Sequence, residues 1–147
     1  MKTKIIGKIL LSLSLMFVLV SGITQVHGSS SASPEDVQRP VVTIHSTGDV
    51  TRGEIGSFVL DMKPAIPLGG AYVNFSVSGT AVPWLDYVPL VSPAYVGPSG
   101  YEVMLVETLP DPRGSAFRRA YSLVVTLEPG FGYLIAEPGS AQMRIKP

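Results

Sequence analysis

Short runs of β-forming residues, each bounded by glycine or proline, recur along this sequence and restrict its fold more than any other feature. Large apolar residues alternate with small or polar ones over residues 71–77, and more loosely over residues 101–107. Such alternation gives a strand one face in the core and one face in solvent. No window after residue 28 shows the periodicity of a helix. The pattern therefore predicts half-buried strands of antiparallel sheets.

Further β-rich runs complete this set of predicted strands. They cover residues 41–45, 57–62, 121–127 and 141–145, and short extended pieces at 88–90 and 95–96 are candidates for an edge. Six or seven short strands with Gly/Pro-rich connections predict an all-β fold, an immunoglobulin-like, two-sheet antiparallel β-sandwich of about seven strands. The residues expected to face its core are Phe58, Val73, Phe75, Val77, Leu123, Val125, Leu127 and Ile145.

The N-terminal residues predict export. Three lysines precede an apolar run at residues 9–20, and small residues follow it, which is the order of a secretory signal peptide over residues 1–28. The run is shorter than the roughly 20 residues that a membrane-spanning helix needs. We expect cleavage after Gly28 or Ala32, no stable membrane span afterwards, and a secreted, extracellular or periplasmic location. An uncleaved membrane anchor is the alternative.

The remaining chain divides into a polar linker at residues 29–39 and one domain at residues 40–147. It contains no cysteine, so no disulfide supports the domain. Cleavage would remove three of the eleven basic residues and none of the eleven acidic ones, giving a formal charge of −3. A chain with this charge and no basic patch is not expected to bind nucleic acid.

Two segments carry a resemblance to a known family. The first is an alternating strand at residues 73–78 that runs into Gly79-Thr80-Ala81 and then, after a proline, into Asp86-Tyr87. The second comprises residues 127–133 and 139–145, which look like the last two strands and their connection. With these motifs the chain resembles the Calx-beta family, a calcium-associated β-sandwich module, over roughly residues 40–145.

The resemblance implies a calcium site, but the matching ligand set is incomplete. Asp86 and Asp111 match two of the family's acidic positions, and Glu54 is a weaker candidate nearby. The family's Glu-Gly position, however, reads Arg52-Gly53, and a further glutamate position corresponds to about Tyr121. Calcium takes six to eight oxygen ligands, and a cation among them repels the ion. We expect the domain to fold without a cofactor and to gain little from Ca²⁺; weak calcium binding is the alternative.

The sequence contains no recognisable catalytic motif. His45 is the sole histidine after the signal, and there is no cysteine, nucleophile elbow or phosphate loop. We therefore expect no enzyme, but a secreted or cell-surface module for protein interaction or adhesion, with a protein or a surface glycan as partner. A calcium-binding module and a structural subunit of a surface assembly are the alternatives. Trp84, the sole tryptophan, either covers the end of the core or is an exposed binding anchor.

Overall fold

A computed structural model describes residues 38–111 and 119–147, which form a β-sandwich. In chain order its strands are β1 (Val41–Ser46), β2 (Val50–Thr51), β3 (Ile55–Lys63), β4 (Ala71–Val73), β5 (Phe75–Gly79), β6 (Ala94–Val96), β7 (Tyr101–Glu107), β8 (Tyr121–Leu127), β9 (Leu134–Ile135) and β10 (Ser140–Lys146). Neither described range contains a helix that is long and apolar enough to cross a membrane. The predicted signal peptide and nearly all of the predicted linker lie outside the described residues.

Two four-stranded sheets form the layers of the sandwich, and a small two-stranded sheet lies beside them. The first sheet has the order β7-β3-β1-β9, the second β2-β10-β8-β5, and the small sheet pairs β4 with β6. All pairings are antiparallel except β1 with β9 and β10 with β2, each of which is parallel over two residues. The predicted fold class is confirmed, with these two short parallel pairings as the departure from a purely antiparallel sandwich.

The predicted run at residues 71–77 is interrupted at Asn74, which separates β4 from β5. The N–H of Asn74 donates to the hydroxyl oxygen of Tyr133 at 3.0 Å, and that hydroxyl donates to the carbonyl oxygen of Glu128 at 2.7 Å. The carbonyl oxygen of Asn74 accepts the N–H of Glu128 at 2.9 Å. The bond from Glu128 continues the register of β5 with β8, whereas the Tyr133 hydroxyl bridges the reciprocal bond from the N–H of Asn74 to Glu128. Before this position the chain pairs with β6 as β4, and after it the chain pairs with β8 as β5.

Differences from the other predicted strands are small. The strands predicted at 41–45, 57–62, 101–107, 121–127 and 141–145 are all present, with ends that differ by at most two residues. Residues 88–90 do not form a strand, whereas β2 and β9 were not predicted. Two residues are too few for alternation to be recognised in a sequence.

The core lies between the two large sheets and contains the residues that alternation selects. Of the eight predicted core residues all are buried except Val77, which is partly buried and packs against the core. The inward faces of β1, β3 and β10 add further large side chains. These are Val42, Ile44, Leu60, Met62, Met143 and, from β7, Val106.

We expect Phe75→Ala to lower the free energy of unfolding by about 3–5 kcal/mol, because it removes a buried aromatic ring and leaves a cavity. Phe131→Ala is the matched control, since the side chain of Phe131 is 99% exposed and its loss opens no cavity. Urea denaturation of both variants measures the difference. A cost below about 1 kcal/mol for Phe75→Ala would mean that its strand presents the opposite face to the core.

Candidate functional site

Four segments that are distant in sequence meet at one end of the sandwich. They are the turn between β2 and β3, the loop at residues 82–87, residues 108–111 after β7, and the start of β8. Backbone bonds join the first three, since the N–H of Thr108 donates to Glu54 at 3.2 Å and the N–H of Leu109 donates to Asp86 at 2.9 Å. These bonds bring together the side chains that the sequence separates by dozens of residues.

The side chain of Arg52 lies at the centre of this convergence and is only 6% exposed. Its Nη2 donates to Oδ1 of Asp86 at 2.5 Å, and its Nη1 donates to the carbonyl oxygen of Leu109 at 3.2 Å. Its Nε lies 3.6 Å from Oδ2 of Asp111, which is too long for a hydrogen bond but close enough for the two charges to attract. The planar guanidinium of arginine carries N–H donors that point in several directions, so it can contact several acceptors at once. The ammonium of a lysine is a compact point charge without this geometry.

Asp86 is fully buried, and both of its carboxylate oxygens have partners. Besides the bond to Arg52, its Oδ2 accepts the N–H of Val82 at 2.7 Å, and its own N–H donates to the carbonyl oxygen of Val82 at 2.8 Å. Burying a carboxylate is costly unless it is paired and hydrogen-bonded. Asp86 meets that condition, and in doing so it closes the loop at residues 82–86.

Aromatic rings complete the surroundings of the ion pair. The guanidinium carbon of Arg52 lies 5.3 Å from the centroid of the buried Tyr121 ring, a cation–π distance, and that of Arg119 lies 5.5 Å from it. Nε of Arg119 also donates to the hydroxyl of Tyr121 at 3.3 Å. Burial is the larger cause that raises the pKa of the Tyr87 hydroxyl, and the negative charge of Asp86 raises it further. Tyr87 therefore adds no charge near neutral pH.

Of the residues that the sequence suggests as metal ligands, the structure brings Asp86 and Asp111 together around Arg52. Glu54 is exposed, and its Oε2 accepts the N–H of Thr51 at 3.3 Å. No group of three or more Asp, Glu or His side chains within residues 38–111 and 119–147 is placed to hold a metal ion.

The residues present do not fit the calcium site that the Calx-beta resemblance implies. Asp86 and Asp111 are two ligands where the ion takes six to eight, and both already contact a guanidinium that carries positive charge. The sequence identified Arg52 and Tyr121 as departures from the family pattern. It did not identify their relation, in which the arginine pairs with the carboxylates and the tyrosine ring lies against the arginine.

Trp84 lies on the loop that Asp86 closes. Its side chain is 74% exposed, so the ring does not cover the end of the core. Its backbone is left-handed, with φ of 65°. Among the described residues, Trp84 is the only one other than glycine with a positive φ. The N–H of Trp84 donates to the carbonyl oxygen of Tyr87 at 2.8 Å, which fixes the loop in this shape.

The described residues offer no arrangement of catalytic groups. His45 lies on the outer face of the first sheet, 3.5 Å from Asp61, and both side chains are exposed to solvent. Two grooves of about 540 and 510 Å³ flank Phe131 at another surface, and Arg39 is the only charged residue that lines either of them. Neither groove contains a pair of groups that could exchange a proton with a substrate.

Solved structures with a similar fold support the sandwich architecture. The chain is similar to CBD12 from CALX1.2, with 17% identity and a TM-score of 0.54 over 71% of this chain and 44% of that chain. It is similar to the calcium binding domain CBD12 of CALX1.1, with 18% identity and a TM-score of 0.54 over 70% and 43%. The chain thus spans less than half the length of either. This identity supports the likeness at the level of the fold.

A CARDB domain of PF1109 from Pyrococcus furiosus is a more distant match, with 15% identity and a TM-score of 0.38 over 74% of this chain and 93% of that chain. No protein-family profile matches the sequence, and neither does any curated protein.

We expect Arg52→Leu to lower the free energy of unfolding by about 3–5 kcal/mol, because Asp86 then stays buried without its cation. Lys146→Leu is the control, since it removes a cation whose partner, Asp49, forms an exposed pair with it. That pair is solvated, so its loss should leave the stability almost unchanged. Urea denaturation compares the two variants.

A double variant separates the ion pair from simple packing. Adding Asp86→Asn to Arg52→Leu removes the uncompensated charge and keeps the side chain that bonds Val82, so the double variant should be less destabilised than the sum of the two single variants. The expected coupling exceeds about 1 kcal/mol. Strict additivity would contradict a direct interaction between Arg52 and Asp86.

We expect Ca²⁺ to raise the melting temperature by less than about 1 °C, because Asp86 and Asp111 already contact the Arg52 guanidinium and are too few ligands for a tight site. A native site with a dissociation constant one hundredth of the calcium concentration would add about 2.7 kcal/mol and raise the melting temperature by several degrees. Calorimetry with calcium, with magnesium and with chelator measures the shift. A clear rise that Asp111→Asn abolishes would overturn this expectation, and a rise that survives it would indicate another site, such as one around Asp49.

Proposed function

We propose that this domain is an exported, non-catalytic interaction module that works without a bound ion and contacts its partner through the loop at residues 82–87. The observation that carries the proposal is the combination of an exposed Trp84 with a buried Arg52–Asp86 pair directly beneath its loop. The exported location rests on the signal-like residues 1–28.

The ion pair supports the proposal because it makes the binding loop rigid. Asp86 bonds the loop to itself through Val82 and to the rest of the domain through Arg52. A loop whose backbone is already held in place loses little conformational freedom on binding, and this improves affinity. The loop therefore has the preorganisation that a binding site requires.

Trp84 has the chemistry of a binding anchor. A tryptophan ring offers a large apolar area with only two side-chain torsions to restrict, and such residues dominate the energetics of protein interfaces. Val82, on the same loop, is also exposed. A left-handed backbone at a non-glycine residue costs about 1–2 kcal/mol, and strained conformations of this kind occur preferentially at functional sites. These features favour a protein surface with an apolar pocket, and a glycan is the second class of partner.

Trp84→Ala should abolish binding to the partner surface while leaving the melting temperature within about 2 °C of the wild type, because the exposed ring contributes little to the core. Labelled protein is applied to washed cells of the producing organism, and retained label is measured. Phe131→Ala, which removes a fully exposed ring elsewhere, is the control and should bind normally.

Pretreatment of the cells identifies the class of partner. Loss of binding after protease treatment indicates a protein, and loss after periodate oxidation indicates a glycan. Because Trp84 is the only tryptophan, its fluorescence reports on this loop alone, and it should be accessible to a soluble quencher before binding and protected afterwards. Normal retention of Trp84→Ala on cells would refute the proposed role of the loop.

A further inference from the structure

Strand β7 is an edge strand of the first sheet, and its outward side chains are apolar. Tyr101, Val103 and Leu105 are 56%, 41% and 62% exposed, respectively. At the edge of the second sheet, β5 exposes Ser76 and Ser78 on the corresponding alternate positions. Edge strands in soluble proteins are usually protected by charges or prolines on this surface. β7 has neither at its three outward central positions.

The hydrogen-bonding pattern shows that the backbone groups at these positions point away from the sheet. In the antiparallel register of β3 with β7, Met62 lies opposite Gly100 and donates to its carbonyl oxygen at 2.7 Å. Because bonded pairs alternate along an antiparallel ladder, the even-numbered residues of β7 bond β3, and the odd-numbered residues face the open edge. The carbonyl oxygen of Glu107 confirms this parity, since it accepts the N–H of Val88 at 2.9 Å on that edge.

No described strand pairs with this edge between Tyr101 and Leu105. The N–H groups of Tyr101, Val103 and Leu105 are therefore available to a further strand, next to three apolar side chains. Their carbonyl groups face the same edge, where that of Tyr101 already accepts the hydroxyl of Ser99 at 3.2 Å. An added strand would extend the sheet by the backbone bonding that is common in strand-addition complexes.

We propose that β7 pairs with β7 of a second copy of this chain, antiparallel and centred on Val103, to form a two-fold dimer with one continuous sheet. A two-fold axis through Val103 places Val103 opposite its own copy and Tyr101 opposite Leu105 of the second copy. Each of these three outward side chains then meets an apolar one. The edge N–H and carbonyl groups of the three residues also find partners across the pair, with the carbonyl oxygen of Tyr101 accepting a second bond besides that from Ser99. The site is independent of the Trp84 loop.

The charges of β7 favour this register over the neighbouring ones. A shift of one strand by one residue would place inner side chains opposite outer ones, so the competing registers are shifted by two residues and are centred on Glu102 or on Met104. Centring the pair on Glu102 would place this carboxylate opposite its own copy, which is destabilising. Centring it on Met104 would place Tyr101 opposite Glu107, whose carbonyl oxygen already accepts a bond from Val88. With Val103 at the centre, Glu102 lies opposite Met104 and no acid faces another.

Light scattering of the purified protein over rising concentrations tests the proposal. We expect a monomer–dimer equilibrium that Val103→Pro weakens at least about tenfold, because proline removes the central edge donor. The fold should survive this change, since the N–H of Val103 makes no ladder bond to β3. Val103→Thr, which retains both the N–H and the shape of the side chain, is the matched control and should dimerise normally.

Cysteine cross-linking tests the register, and the absence of native cysteines makes it unambiguous. Directly opposed, bonded residues have Cα atoms about 5.5 Å apart, a distance that a disulfide spans. Val103→Cys should therefore form a covalent dimer on mild oxidation. Tyr101→Cys alone should not, whereas a mixture of Tyr101→Cys and Leu105→Cys should form a mixed dimer. A protein that stays monomeric at every concentration, or a dimer that Val103→Pro leaves unchanged, overturns the proposal.

Discussion

The buried ion pair between Arg52 and Asp86 is the interaction on which the end of this sandwich depends. Two charges removed from water are stable only where each finds good partners, and here the carboxylate also binds a backbone N–H while the guanidinium reaches a carbonyl group and a second acid. The pair thus holds four segments together in a domain that has no disulfide. Together with the backbone bonds of Thr108 and Leu109, it holds the Trp84 loop and residues 108–111 in place.

Much of the fold is predictable from the sequence because each strand carries its own signal. Alternation in residues 71–77 and 121–127 identifies the buried faces, and Gly/Pro-rich connections separate the strands. The break at Asn74 is not predictable in this way, since it depends on the hydroxyl of Tyr133, which is 59 positions away in sequence. The two-residue strands β2 and β9 exist only because longer strands lie beside them, so their own residues carry no recognisable pattern.

The candidate site was predictable in its members but not in its chemistry. The sequence singled out Asp86, Asp111 and the unexpected Arg52, and the proximity of these three residues is a consequence of the fold. From the sequence alone, Arg52 is interpreted only as a positive charge that would repel a calcium ion. Its role as the partner of both carboxylates depends on the reach of a long side chain and on the ring of Tyr121, and neither is visible before the segments are placed in space.

The guanidinium of Arg52 is attached to the chain, and this gives the site a property that no dissociable ion could give it. Its local concentration does not depend on the dilution of the protein or on chelating anions in the surroundings. The shape of the loop at residues 82–87 is therefore set once, at folding, and does not follow the composition of the medium. The binding proposed for this loop would therefore not vary with the calcium content of the medium.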